Sequence, residues 1–353
     1  GPTLNINGER TTYDESTYVT DVLTEHAVDW LDNREQDQPF FLYLSHKAVH
    51  SQFQPAERHQ GLYEGKEVVY PPSFDVPSYG IPKLPSGDVD TEPLRGRDYY
   101  GENRIPDWVK QQRESWHGVD YMYHGDIEFE EFFQRYTETL MGIDESVGAV
   151  LDYLDANGLA EDTLVIYMGD NGFSFGEHGL IDKRHFYEES AKVPLLIRWP
   201  SYLEGGAPID ALVQNIDIAP TILEAAGLAM PAHMQGASFV PLLDRKEVAW
   251  RDRIFYEYYW EMDFPQTPTM FGVRTERYKY IRYHGIWDTN EFYDLQADPN
   301  EMYNLIDAPE HQERITGYAN EVYDWLETTG GMNIPLKNVV RPKFGDHRNQ
   351  SVL

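Results

Sequence analysis

Residues 168–190, "MGDNGFSFGEHGLIDKRHFYEES", gather carboxylates, histidines, a lysine and glycines into one short polar run. Asp170 and Asn171 carry hard oxygen donors of the kind that bind calcium or magnesium, and Gly172 permits a tight turn beside them. Lys183 is a compact cation able to steady an oxyanion. A second polar run, "HKAVH", delivers His46, Lys47 and His50. Together these residue types describe a metal and oxyanion site. Taken singly they are ordinary: Asp-Asn-Gly is a common turn sequence, and lone histidines such as His59, His124 and His233 are expected on the surface or satisfied in the core.

Each run follows an apolar stretch with the look of a buried strand, "FFLYLS" before His46 and "TLVIYM" before Gly169. Ligands in open α/β sheets bind beyond the carboxyl ends of strands, so the two runs belong where a site is expected. Around them, 13–31 has the pattern of an amphipathic helix with Ser16 or Thr17 near its N-cap. Residues 128–157 place Leu140, Ile143, Val147, Val150, Leu151 and Leu154 on one helical side, with Gly158 as the C-cap. "VPLLIRWP" predicts another strand, and "NIDIAPTILEAAGL" a turn and a helix with Pro220 near its start. This alternation predicts an α/β domain with a mostly parallel central sheet over 1–248. From about 250 the aromatic, alternating runs "RIFYEYYW", "TMFGVRTERYKYIRYH" and "NEFYDLQ" predict an antiparallel sheet. With a helix at 309–327 they form a smaller α+β subdomain over 249–353. Residues 61–118, rich in Pro, Gly and Tyr without a sustained period, are an irregular insert of the sort that serves as a functional loop or lid.

The chain has 353 residues, 41% hydrophobic and 14% aromatic, which describes a folded protein with ample core. Sixty acids against 29 bases give a net charge of −31. Such a surface disfavours nucleic acid and adhesion to anionic membranes, and it suits salty or extracellular surroundings. An anionic substrate would need a local basic pocket. No apolar run is long enough to span a membrane, so no membrane insertion is expected. The absence of cysteine excludes disulfides and thiolate metal ligation within these residues.

"GDNGFSFGEHGLIDKRHFYEESAKVPLLIRWP" closely resembles a segment of the type I sulfatases of the alkaline-phosphatase superfamily. "PFFLYLSHKAVHSQFQP" is similar to their strand and histidine-bearing loop, "QNIDIAPTILEAAGL" to a later strand–turn–helix, and "YKYIRYHGIWDTNEFYDLQADPNEMYNL" to their C-terminal subdomain. The resemblance implies an alkaline-phosphatase-like sandwich and a secreted or periplasmic sulfuric ester hydrolase. Asp170 and Asn171 would bind calcium, Lys183 would contact the sulfate, and His50 would hydrogen-bond or protonate the leaving oxygen. His178 and Arg184 would either line the pocket or support it. His284, Trp287 and Asp288 lie in a C-terminal loop where members of the family read the sugar. His46 is expected to be structural, and Asp217 to cap the helix after it. "QQRESWHGVDYMY" is similar to bacterial carbohydrate sulfatases, which implies a sulfated poly- or oligosaccharide substrate.

The family's formylglycine arises from Cys or Ser in a Cys/Ser-x-Pro-x-Arg motif, and no such motif is present. "TEPLR" puts Thr91 in the first position, but within the irregular insert and with no paired aspartates before it. The expectation is therefore the C-terminal majority of a sulfatase, with half of the metal site, dependent on an N-terminal segment and inactive without it. Two alternatives stay open. One is a phosphodiester or phosphonate hydrolase of the superfamily, which usually has Asp-His where this chain has Asp170-Asn171. The other is a non-catalytic module that binds sulfated glycans.

Overall fold

The computed structural model describes residues 1–74, 104–113, 127–203, 205–206, 208–245, 247–261, 264–286 and 288–333. Thr91, His124 and Trp287, named above, lie outside them. The chain opens with a hairpin, β1 (Thr3–Ile6) and β2 (Glu9–Thr12), turned by Asn7 and Gly8 at positive φ. Helix α1 (Val19–Asn33) packs on the long α3 (Phe129–Ala156), and α2 (Asp107–Arg113) lies between them in sequence. Strand β3 (Val165–Met168) is followed by the polar run, the short α4 (Glu188–Ala191) and β4 (Leu195–Arg198). Helices α5 (Ile218–Ala225) and α6 (Val240–Leu243) precede a four-stranded sheet of β5 (Arg253–Tyr258), β6 (Thr269–Thr275), β7 (Tyr278–His284) and β8 (Glu291–Asp294), and α7 (Gln312–Thr329) follows.

The C-terminal sheet has the order β5-β6-β7-β8 and is antiparallel throughout, as the alternating aromatic runs predict. Period-2 alternation sorts its side chains to two faces. Met270, Ile281, Tyr283 and Tyr293 face a core shared with Leu180, Phe186, Tyr187 and Trp108. Phe271, Val273, Tyr280 and Phe292 face Ile315, Tyr318, Val322 and Leu326 of α7. Both faces are therefore buried, which accounts for large apolar and aromatic side chains on both faces of these strands. A third core joins Phe53, Phe129, Phe132 and Ile181, with Phe173 and Phe175 against it.

Three expectations need correction. Every ladder among the described residues is antiparallel, including β3 with β4, so the parallel pairing expected of the central sheet is not formed among them. "FFLYLS" belongs to no strand, and Phe41 and Tyr43 are 66% and 80% exposed while Leu42 and Leu44 are half-buried. The insert is not wholly irregular: α2 lies inside it, with Trp108 and Val109 buried against the C-terminal sheet.

Candidate active site

Strand β3 ends at Met168, and the backbone turns at Gly169 to present Asp170 on the surface and Asn171 half-buried. The Asn171 N–H donates to Asp170 Oδ1 at 2.8 Å. Asn171 Nδ2 donates to the Gly172 carbonyl at 2.7 Å, which leaves Oδ1 as the outward acceptor of that amide. The turn is closed by Gly172 N–H on the Ser190 carbonyl of α4 at 2.8 Å. Only glycine fits there, because a Cβ would stand 1.9 Å from the Glu189 carbonyl oxygen.

From Phe173 the chain runs out and back as a loop held by Ser174 N–H to the Asp182 carbonyl and Gly176 N–H to the Leu180 carbonyl, at 2.8 and 2.9 Å. Lys183 emerges at its foot, half-buried. Among the described residues its ammonium has no carboxylate within ion-pairing distance. Burial and the neighbouring Arg184 lower its pKa, opposed by the carboxylates of Asp170 and Asp182. The lysine thus shares an electrostatic environment with the Asp170 turn. Arg184 pairs through Nη1 with Asp182 at 2.7 Å, and its guanidinium lies 3.3 Å over the Phe264 ring. His178, at φ 54°, is fully buried and stacks on Tyr187 with centroids 4.2 Å apart, so it supports the loop from inside.

His50 is exposed, and its Nδ1 donates to the Ser51 carbonyl at 2.7 Å. That bond fixes the tautomer, so a proton on Nε2 makes the ring cationic. Three residues on, Phe53 packs on Phe173 and Phe175, each 6.3 Å between centroids. One aromatic cluster therefore anchors both the His50 loop and the Asn171 turn. His46 is structural, its Nε2 within 2.9 Å of Ser146 Oγ on α3. Buried His59 meets Glu145 through Nε2 at 2.9 Å.

Two residues take roles other than those expected. Asp288 accepts from the N–H groups of Asp107 and Trp108 at 3.0 and 2.9 Å, so its carboxylate caps α2 and is not free for a ligand. Asp217 makes no side-chain bond to the helix after it. It is buried, accepts from Gln214 N–H and Ala237 N–H at 2.8 Å each, and pairs with both terminal nitrogens of Arg251. His284 sits exposed at the end of β7, beside Phe271 and away from these contacts.

Sequence reasoning missed what holds the Lys183 segment in place. Lys279 is fully buried and lies 2.7 Å from both Glu188 and Glu301, while its Nζ donates to the Phe186 carbonyl at 2.8 Å. Arg274 pairs with Glu188 at 3.1 Å, and the Glu188 N–H donates to Glu301 at 2.7 Å. Burial resists ionisation of Glu188, yet Lys279 and Arg274 hold its carboxyl down to about 2. Beside this network, buried Glu291 accepts from the hydroxyls of Tyr187, Tyr283 and Tyr293. The signal was available: Lys279 shares strand parity with inward-facing Ile281 and Tyr283, and Glu291 shares it with Tyr293.

Among the described residues no group of three or more His, Cys, Asp or Glu is gathered for a metal, and no helix is long and apolar enough to cross a membrane.

The fold is shared with solved hydrolases. One relative, in complex with its substrate D-glucosamine-2-N,6-O-disulfate, superposes with a TM-score of 0.75 at 26% identity over 93% of this chain and 73% of its own. The phosphonate monoester hydrolase of Agrobacterium radiobacter gives a TM-score of 0.67 at 22% identity, over 90% of this chain and 62% of its own, a likeness of fold alone. These comparisons define an alkaline-phosphatase-like hydrolase fold.

Within it, the family model "Sulfatase" matches residues 3–228, and "N-sulphoglucosamine sulphohydrolase, C-terminal" matches 176–327. The chain belongs to the sulfatase family. It is 30% identical to the N-acetylglucosamine-6-O-sulfatase of Bacteroides thetaiotaomicron, over 89% of this chain and 62% of that protein. It is also 30% identical to the N-acetylglucosamine-6-sulfatase of Bos taurus, over 97% of this chain and 61% of that one. The chain therefore spans about three-fifths of the length of these relatives.

Proposed function

We propose that the protein removes sulfate from a sulfated carbohydrate, with a 6-sulfated N-acetylglucosamine residue as the group cleaved. The observation that carries this reading is Lys183: a half-buried cation with no ion pair among the described residues, within electrostatic reach of the Asp170 carboxylate. Sulfate ester cleavage needs positive charge around the equatorial oxygens and a proton for the departing alkoxide. Lys183 supplies fixed charge to the sulfate, and the His50 imidazolium supplies the proton from Nε2. Asp170 and Asn171 suit calcium in kind, as hard oxygen donors, but two residues fall short of the six to eight oxygens that ion takes. Calcium, when bound, would add a compact double charge facing the sulfate. The formylglycine nucleophile is not among these residues, which hold no cysteine and no Ser-x-Pro-x-Arg. The chain is thus assigned part of the site, and the nucleophile and further ligands come from outside it. A secreted or periplasmic setting agrees with the charge of −31.

The test is sulfate release by the full-length protein from N-acetylglucosamine-6-sulfate, followed by ion chromatography with calcium present or chelated. Turnover should need calcium, and Lys183→Ala should lower kcat by roughly a hundredfold or more. His50→Ala should cost about 10²–10⁴-fold. Faster cleavage of an aryl phosphodiester than of any sulfate ester would overturn the reading.

A further inference from the structure

Asp182 immediately precedes Lys183 and is almost fully buried. A carboxylate one residue away would be the ready partner of a half-buried lysine, and a lysine so paired has its charge cancelled before any anion arrives. That pair does not form, because Lys183 makes no ion pair among the described residues. Other donors hold Asp182 instead. Arg184 Nη1 donates to Oδ1 at 2.7 Å, the Arg184 N–H to Oδ2 at 3.2 Å, and Gln112 Nε2 to Oδ2 at 2.9 Å. Arg184 cancels the charge of the carboxylate, and the Gln112 amide directs it without adding charge. Of three consecutive charged side chains, Lys183 is the one left with its charge in hand.

Gln112 reaches this point from a distant part of the chain, 70 residues before Asp182. It is fully buried near the end of α2. That helix is anchored at its start, where Asp288 accepts from the N–H groups of Asp107 and Trp108, and along its side, where Trp108 and Val109 share a core with Leu180 and Phe186. The opposite partner is anchored too. The Asp182 carbonyl accepts from Ser174 N–H at 2.8 Å, and the Lys183 carbonyl accepts from the Ser190 hydroxyl at 2.5 Å. With both backbones fixed, the bond from Gln112 decides where the Asp182 carboxylate points. A buried amide is tolerated where it meets a partner of its own, and this one meets the carboxylate beside Lys183.

We propose that Gln112 is a positioning residue for Lys183: with Arg184 it holds the Asp182 carboxylate off the lysine, so that the ammonium is kept for an anion. The proposal rests on the sulfatase reading above for the identity of that anion, a sulfate ester. The experiment uses the full-length protein and two readouts. One is kcat/KM for N-acetylglucosamine-6-sulfate; the other is the rate at which trinitrobenzenesulfonate labels Lys183, followed by peptide mass mapping. Gln112→Met keeps the volume and removes the donor. The released carboxylate should then pair with Lys183, lowering kcat/KM about tenfold and slowing the labelling about tenfold, because a paired ammonium gives up its proton less readily. Adding Asp182→Asn should restore both, since an amide cannot pair with the ammonium. Local loss of structure would act the other way on the label, exposing Lys183 and speeding its reaction. Gln112→Asn, with an amide too short to reach, should give the same result and serves if Gln112→Met does not fold. Unchanged labelling in the glutamine variants, or a slowing that Asp182→Asn leaves in place, would overturn the proposal. If the wild-type protein releases no sulfate, the sulfatase reading fails on its own, and the labelling rates still decide the role of Gln112.

Discussion

A Cβ on residue 172 would collide with the Glu189 carbonyl oxygen at 1.9 Å, so the Asp170 turn and α4 can meet only through glycine. Gly172→Ala should then cost about 1–3 kcal/mol through forced backbone movement. The urea midpoint checks this, and an unchanged midpoint would show that the turn yields freely. Glu291 poses a different test. Complete burial raises its pKa to about 7, against the lowering effect of its three tyrosine hydrogen bonds. The folded protein therefore keeps a proton there that the unfolded chain releases near the ordinary carboxyl value. That share of stability is fully present below about pH 4.5 and declines as pH rises to about 7. Burial likewise raises Glu301 and Glu189 to about 7, so all three add to one decline. Thermal melts from pH 4.5 to 8 should show it, and Glu291→Gln should flatten it in part; an equal slope in both proteins would remove Glu291 from the account. Asp170, Asn171 and Lys183 stand out in the sequence by donor type and spacing, and their roles are those proposed above. Asp288 was misread because its partner, the start of α2, lies 180 residues away in sequence.

Between elements, the decisive junction is α4 and its approach against β6 and β7. Phe186 stacks on Tyr256 at 4.4 Å and lies directly over Gly272, where a Cβ would come within 2.5 Å of the ring. Lys279 completes the junction between Glu188 and Glu301. Removing one member of a buried ionic group leaves its partners uncompensated, so Lys279→Met should destabilise by about 3–5 kcal/mol. Adding Glu301→Gln should recover part of that loss above about pH 8, where Glu301 would otherwise be ionised. Guanidinium unfolding of the single and double variants separates this outcome from simple loss of packing, in which the second change would recover nothing. The four C-terminal strands were legible because large apolar and aromatic side chains fill both of their faces. "FFLYLS" was not read correctly, because strand pairing depends on neighbours that a segment's own residues do not name. In the described residues every second side chain of it is half-buried, and no ladder joins it.

At the scale of the whole molecule, a net charge of −31 makes self-repulsion a standing cost to the folded state. Raising sodium chloride from about 10 mM to about 150 mM shortens the screening length from about 30 Å to about 8 Å. The melting temperature should rise by about 2–4 °C over that interval, and a fall would mean that attractive pairs outweigh the repulsion. Fold class was readable at this scale because several ordered segments agreed with one another, whereas the insert could not be placed by composition alone. The way the C-terminal sheet is held bears on how such proteins recombine. The C-terminal family model begins at residue 176, well before the sheet, and residues 176–228 are matched by both models. Phe186, Glu188 and Tyr187 spend their contacts on the sheet that follows. A chimera joined near residue 249 would set these side chains against a foreign surface, whereas one joined near 170 would carry both halves of the contact together. The unit that can be exchanged between relatives is thus the seam with its two sides, and the lysine proposed to meet sulfate travels with it.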